Sequence, residues 1–135
     1  MEPAWINSTA RRNIITVEDP IEFIHRDKKS TIYQREVGWD VTSFARGLRS
    51  ALREDPDIIL VGEMRDQETA RTAMQAAVTG HLVFTTLHAR DTIGSLFRLL
   101  DLGVEAYMLA NAISVCLAQR LIRVLCPHCK RAIKP

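Results

Sequence analysis

The feature that most constrains the fold is the segment 52–66, in which a proline is followed by an apolar run, a glycine and a glutamate. The run from Ile58 to Val61 predicts a buried strand, because continuous apolar residues between turn residues are typical of parallel sheets. Gly62 and Glu63 then lie at the carboxyl end of that strand, the edge at which open α/β sheets bind ligands. A glutamate there can orient a water molecule or a metal ion beside a phosphate chain. The alternative is a core strand followed by a solvated acidic turn.

A second polar cluster follows the apolar, β-branched stretch 14–17. Pro20 ends this predicted strand, since proline cannot donate to a sheet ladder. Glu18 and Asp19 therefore lie at its carboxyl end. Crowded carboxylates suit Mg²⁺, which prefers oxygen ligands and keeps several waters. The alternative is that they cap a turn or pair with an arginine.

A third cluster surrounds the apolar run 82–84, which predicts another buried strand. His81 precedes this strand, and Thr85, Thr86 and His88 follow it. Hydroxyl and imidazole groups at a strand's carboxyl end can sense a terminal phosphate by hydrogen bonding. The alternative is that the histidines are structural.

Strands and helices alternate along the chain, which predicts an α/β fold with a mostly parallel sheet flanked by helices. The predicted strands are 13–17, 57–61, 82–87 and 121–125, a hairpin joins 21–24 to 31–36, and helices span 43–53, 66–78, about 91–103 and about 105–119. Asp66 and Asp91 are placed to cap two of these helices, and Gly103 to end the second of them. That second helix carries an apolar stripe formed by Ile93, Leu96, Phe97 and Leu100. Residues 1–12 are weakly patterned.

The three clusters, in this order, resemble motifs of the secretion and pilus motor ATPases, the hexameric P-loop ATPases of bacterial type II secretion and type IV pilus assembly or retraction. Segment 52–66 resembles the atypical Walker B motif of that family, 16–22 its aspartate box and 80–89 its histidine box. The resemblance extends from Asn13 to Cys129. It implies a RecA-like P-loop ATPase core that binds ATP and Mg²⁺.

One family motif is missing. A Walker A loop, G-x-x-x-x-G-K-[ST], cradles the phosphates with backbone donors and a lysine, yet none of the 6 glycines here precedes a lysine. We therefore expect this chain to be the C-terminal part of a motor domain that lacks the Walker A strand, loop and helix. On its own, such a chain should bind and hydrolyse ATP poorly. Residues 1–12 would be a lead, 13–125 a partial RecA-like ATPase domain, and 126–135 the start of a truncated zinc knuckle.

The resemblance also implies roles for single residues. Glu63 would orient or deprotonate the attacking water, with Glu18 and Asp19 assisting metal and water. Either His81 or His88 would report on the terminal phosphate, and Thr86 would bind the nucleotide.

Arginines at three positions, Arg49, Arg53 and Arg65, resemble family residues near the nucleotide or the subunit boundary, where one can act as an arginine finger. The alternative is a solvated basic face with pairs such as Arg49–Glu54 or Arg53–Asp57.

The chain has 3 cysteines. Cys126 and Cys129 form Cys-Pro-His-Cys, a knuckle that supplies two thiolates to zinc, whereas a structural zinc site wants about four ligands. We expect half a zinc site, with a redox dithiol as the alternative. Cys116 lies in an apolar helix and is expected to be buried.

Composition limits the partners. The net charge of +2 and the few aromatic residues argue against a nucleic-acid motor, which stays an alternative. No apolar stretch approaches the roughly 20 residues that span a bilayer. Together with the resemblance, this implies a cytoplasmic homo-hexamer peripheral to the bacterial inner membrane, with a membrane platform and secretion or pilus assembly proteins as partners. A non-catalytic interaction remnant of such a motor is a further alternative.

Overall fold

Four parallel strands form a single sheet in the computed structural model, which describes residues 2–131. The strand order is β2-β1-β3-β4, and every neighbouring pair is parallel. The elements are α1 (Glu2–Thr9), β1 (Asn13–Glu18), β2 (Thr31–Glu36), α2 (Phe44–Ala51), β3 (Ile58–Val61), α3 (Gln67–Val78), β4 (Leu82–Thr85), α4 (Thr92–Asp101) and α5 (Ala106–Ala112). The predicted α/β architecture with a parallel sheet is confirmed. None of the helices within residues 2–131 combines the length and the apolar character that a membrane-spanning helix needs.

Strands β1 and β3 form the centre of the sheet. Ile14, Ile15 and Val17 are fully buried, and so is Ile59 of β3. Continuous burial on both sides of a strand is what a near-continuous apolar sequence dictates. In the register, Val17 pairs with Val61, and Val61 pairs with Thr85. The carboxyl ends of β1, β3 and β4 are therefore level with one another, and the residues that follow them meet at one edge.

Helix α2 packs directly on the sheet because it carries a glycine where it crosses β1. A Cβ added at Gly47 would lie 2.8 Å from Val17 Cγ1. The Ser43 side chain caps this helix by accepting from Arg46 N–H at 3.2 Å. The predicted caps are confirmed as well, since Asp66 accepts from Thr69 N–H at 2.8 Å and Asp91 accepts from Gly94 N–H at 2.7 Å.

The predicted hairpin between 21–24 and 31–36 is wrong. Strand β2 pairs parallel with β1, with Asn13 opposite Thr31 and Glu18 opposite Glu36. Segment 19–30 is long enough for the crossover of about a dozen residues that a parallel pair requires. Side chains rather than a strand ladder hold its backbone.

The apolar stripe of α4 faces solvent. Ile93 and Phe97 are exposed, whereas Leu99, on another side of the helix, is 2% exposed and belongs to the core. A helix of this pattern normally buries its stripe. The periodicity predicts the helix correctly, but the core contact is made by a different residue.

The ends of the chain also differ from the prediction. Residues 2–9 form α1 although their pattern is weak. Helix α5 ends at Ala112, before the predicted Gln119, and 121–125 form no strand within the described residues. Cys116 is exposed, with its Sγ 3.7 Å from Thr92 O, so the prediction of a buried thiol is wrong.

Candidate nucleotide site at the carboxyl edge of the sheet

Gly62 brings the segment after β3 into close contact with the segment after β1. Its N–H donates to Val17 O at 2.8 Å. A Cβ at this position would lie 3.3 Å from Val17 O and 3.4 Å from Glu18 Cα. A side chain at this position would press on the neighbouring backbone. The glycine thus sets the backbone of Glu63 beside that of Glu18.

Glu63 is a buried carboxylate that is only partly satisfied. The residue is 8% exposed, and its Oε1 forms an ion pair with Arg65 Nη2. Oε2 lies 3.3 Å from His88 Nε2, which is within ion-pair range. The orientation does not meet hydrogen-bond geometry, however, and Oε2 has no hydrogen-bond partner among the described residues. A buried acceptor of this kind needs an explanation, such as a water molecule or an ion that it is built to receive. The solvated-turn alternative for Glu63 is wrong.

Thr86 fixes the two neighbouring strand ends to each other. Its hydroxyl donates to Gly62 O at 2.7 Å, and its carbonyl accepts from Met64 N–H at 3.2 Å. Because the hydroxyl proton is engaged with Gly62, the visible role of Thr86 is to hold the Glu63 backbone in place. Its predicted contact with the cofactor stays a prediction.

Glu18 is held in one orientation by two donors to the same oxygen. Thr16 Oγ1 donates to Glu18 Oε1 at 2.6 Å, and Gln34 Nε2 donates to that oxygen at 3.1 Å. Oε2 has no such partner within residues 2–131. Asp19 is exposed beside it. Oxygen atoms from Glu18, Asp19 and Glu63 are hard donors of the kind Mg²⁺ accepts. Because no three metal-ligating side chains of residues 2–131 come together, these oxygens fit Mg²⁺ through the waters that it keeps rather than as a complete set of direct ligands.

His81 is not brought together with the other site residues. Its Nδ1 lies 3.0 Å from Ala76 O and 3.3 Å from Thr79 Oγ1, at the amino end of β4. It lines a cavity of about 390 Å³ together with Arg12 and Asp57. The four residues of β4, at about 3.3 Å each, place this edge roughly 13 Å from the edge that carries Glu63. His88 is the histidine at the carboxyl edge, and the catalytic role predicted for His81 stays a prediction.

The three candidate arginines lie in different surroundings. Arg65 pairs with Glu63 inside the site. Arg49 pairs with Glu68, and both side chains are more than half exposed. Arg53 is exposed.

The ion pairs expected for a solvated basic face, Arg49–Glu54 and Arg53–Asp57, do not form. Glu54 pairs with Arg35 instead of Arg49. Asp57 pairs with Arg12 at 3.1 Å instead of with Arg53.

Cys126 and Cys129 are exposed thiols in one turn, which is closed by Lys130 N–H donating to Cys126 O at 3.0 Å. Hydrogen bonds from the backbone of His128 and Cys129, with a further one from the Cys129 side chain, lower the pKa of the Cys126 thiol. Across residues 2–131, no three metal-ligating side chains come together. The knuckle thus supplies two thiols and does not complete a zinc site by itself.

Solved structures that resemble this chain include a pilus motor and an ATPase. The chain is similar to a crystal structure of the pilus retraction motor PilT with bound ADP, with a TM-score of 0.72 and 54% identity over 78% of this chain and 31% of that one. It is also similar to the Legionella pneumophila ATPase DotB, with a TM-score of 0.68 and 38% identity over 76% of this chain and 29% of that one. The sheet, its topology and these likenesses define part of a RecA-like ATPase core, as the sequence predicts.

The chain belongs to the type II/IV secretion system protein family, whose profile matches residues 4–134. It is 54% identical over 119 residues to type II secretion system protein E of Pseudomonas aeruginosa, covering 88% of this chain and 23% of the relative. It is 50% identical over 123 residues to type II secretion system ATPase E of Vibrio cholerae, covering 91% and 24%. Type IV pilus assembly ATPase TfpB of Acinetobacter baylyi is 51% identical over 124 residues, covering 91% and 20%. The chain spans about a quarter or less of the length of these relatives.

Proposed function

We propose that this chain supplies the water-activating and metal-facing half of the ATP site in a motor ATPase of type II secretion or type IV pilus assembly. The observation that carries the proposal is the unpartnered Oε2 of buried Glu63, at the edge where parallel sheets bind ligands. The relatives named as secretion and pilus ATPases support the same assignment.

Each residue of this edge has a distinct role in the proposal. Glu63 Oε2 accepts a hydrogen bond from the attacking water and draws off its proton as the water attacks the terminal phosphate. Glu18 and Asp19 would hold Mg²⁺ through water, and the ion would neutralise charge on the phosphates when bound. His88 lies 3.3 Å from Glu63 Oε2 and changes its contact when the terminal phosphate leaves.

The proposal requires phosphate-binding donors from outside residues 1–135, since no Walker A motif occurs in this sequence. We also propose that the whole protein assembles as a homo-hexamer, as the resemblance implies. This hexamer would lie on the cytoplasmic side of the inner membrane and drive a membrane platform and pilin-like subunits. Arg49, Arg53 or Arg65 would then reach a neighbouring subunit's nucleotide. Cys126 and Cys129 would supply two of the ligands of a structural zinc.

A hybrid protein tests the proposal. In it, this chain replaces the matching segment of the Vibrio cholerae relative, and phosphate release is measured with ATP and Mg²⁺. Glu63→Gln keeps the shape of the side chain but removes the base, so kcat should fall at least about 100-fold while ATP binding is retained. Asp101→Asn, an exposed change at the end of α4, is the charge-matched control and should hydrolyse ATP like the parent hybrid.

Two results would contradict the proposal. One is turnover by Glu63→Gln close to that of the parent hybrid. The other is an inactive parent hybrid under conditions in which the unaltered relative hydrolyses ATP. The second result would favour a non-catalytic remnant, the alternative that the missing Walker A motif supports.

A further inference from the structure

Gln34 connects the carboxylate of Glu18 to the crossover segment between β1 and β2. Its Nε2 donates to Glu18 Oε1 at 3.1 Å and to Phe23 O at 2.9 Å. Its Oε1 accepts from His25 N–H at 2.7 Å. One side-chain amide therefore contacts a candidate catalytic residue and two backbone groups of a loop at the same time.

These three contacts fix which way the amide points. An amide has two donor hydrogens on nitrogen and an acceptor oxygen. A flipped amide would turn its oxygen towards the Glu18 carboxylate and the Phe23 carbonyl, and its N–H groups towards the His25 N–H. Every contact would then be repulsive, so the hydrogen-bond network assigns the orientation.

A glutamine is the residue type that this position requires. Leucine would leave Glu18 Oε1 with the Thr16 hydroxyl as its remaining partner and would free His25 N–H. Glutamate could still accept from His25 N–H but would place a second negative charge against Glu18. The side chain must donate to Glu18 Oε1 and accept from His25 N–H.

We infer that Gln34 is a positioning residue that sets the orientation of Glu18 and ties it to the loop at 21–25. Because Gln34 and Thr16 both donate to Oε1, the free Oε2 is the oxygen that Glu18 presents at the carboxyl edge. A second tether, from Ile21 N–H to Glu36 Oε2 at 2.9 Å, holds the same loop against β2. The orientation of Glu18 by Gln34 affects catalysis only if Glu18 has the role that the proposed function gives it.

The first test uses the 135-residue chain itself and needs no activity. Gln34→Leu should change the ¹³C chemical shift of the Glu18 carboxyl group at pH 7 and also speed amide exchange at His25. Gln34→Glu should change the Glu18 shift while His25 stays protected, because the acceptor is retained. Gln75→Glu, on an exposed position of α3, should change neither signal. An unchanged Glu18 shift in both Gln34 variants would overturn the inference.

The second test measures turnover in the hybrid protein. Gln34→Glu and Gln34→Leu should each lower kcat about tenfold, the size expected for a lost hydrogen bond to a charged group, with less effect on KM. In a Glu18→Ala background the same changes should have almost no further effect, since coupled residues are not additive.

A purely structural role for Gln34 predicts another pattern, in which the loss of kcat is the same with Glu18 and with Ala at position 18, and that pattern would contradict the inference. Unaltered kcat in the Gln34 variants, with Glu63→Gln inactive, would overturn the inference and leave the proposed function intact. Full turnover by Glu63→Gln would remove the proposed function instead, and the Glu18 shift would still decide the role of Gln34.

Discussion

His88 Nε2 lies 3.3 Å from Glu63 Oε2, although the histidine side chain is 87% exposed and the glutamate is buried. The contact joins the segment after β4 to the segment after β3 at the carboxyl edge of the sheet. A solvent-facing imidazole thus contacts the buried Glu63 oxygen that has no hydrogen-bond partner among the described residues.

The two histidines around β4 should have different effects when they are replaced. His88→Asn in the hybrid protein should lower kcat about tenfold, because it removes the group beside Glu63 Oε2. His81→Asn should leave kcat nearly unchanged and lower the free energy of unfolding by about 1 kcal/mol, because His81 Nδ1 contacts Ala76 O at the end of α3. Phosphate release and urea denaturation measure the two effects. The reverse order would assign the catalytic role to His81.

Gly47 should not tolerate a side chain. The Cβ of Gly47→Ala would lie 2.8 Å from Val17 Cγ1, and Val17 is fully buried in the central strand. Overpacking of this kind costs about 1–3 kcal/mol. Gly94→Ala in α4 is the matched control, since its nearest atom outside the helix backbone is Asp91 Oδ1 at 3.3 Å, and it should change stability by less than about 1 kcal/mol. Equal stability of the two variants would show that α2 does not pack on β1 as described.

The two faces of α4 should differ in their contribution to stability. Leu99 is 2% exposed, so Leu99→Ala should lower the free energy of unfolding by about 2–5 kcal/mol. Phe97 is 62% exposed, so Phe97→Ala should lower it by less than about 1 kcal/mol. Urea denaturation of the 135-residue chain measures both changes. A larger loss of unfolding free energy for Phe97→Ala than for Leu99→Ala would show that the apolar stripe of α4 packs in the core, as the sequence predicts.

The lowered pKa of the Cys126 thiol predicts the pH dependence of its alkylation. The thiolate is the reactive form, so the rate of reaction with iodoacetamide should be retained to a lower pH than for an ordinary free thiol. It should fall as the pH falls through the lowered pKa. Cys129→Ala removes one of the hydrogen bonds and should move the midpoint of the rate profile to higher pH, as mass spectrometry of residue 126 can measure. A midpoint equal to that of free glutathione would contradict the hydrogen bonding.

Local signals in the sequence predict much of this fold. An aspartate such as Asp66 at the start of a predicted helix is a cap signal that needs no tertiary information, and in the structure its side chain accepts from Thr69 N–H. The apolar run 58–61, which lies between a proline and a glycine, likewise predicts β3 from local sequence alone. Strand polarity alone also separates His81, which precedes β4, from His88, which follows it.

Other features depend on contacts that sequence patterns do not encode. Strand β2 pairs with β1 in parallel, and the crossover between them is held by the Gln34 and Glu36 side chains, which accept hydrogen bonds from its backbone. The α4 pattern predicts an amphipathic helix but not which face meets the core. The importance of Gln34 is visible only when Glu18, Phe23 and His25 are seen around it.

The most direct measurement of the central claim is a crystal structure of the hybrid protein with Mg²⁺ and a non-hydrolysable ATP analogue. We expect an ordered water within about 2.6–3.2 Å of Glu63 Oε2, in line with the terminal phosphate, and Glu18 Oε2 turned towards the metal. Glu63 turned away from the phosphate, or nucleotide bound at the amino edge beside His81, would contradict the account.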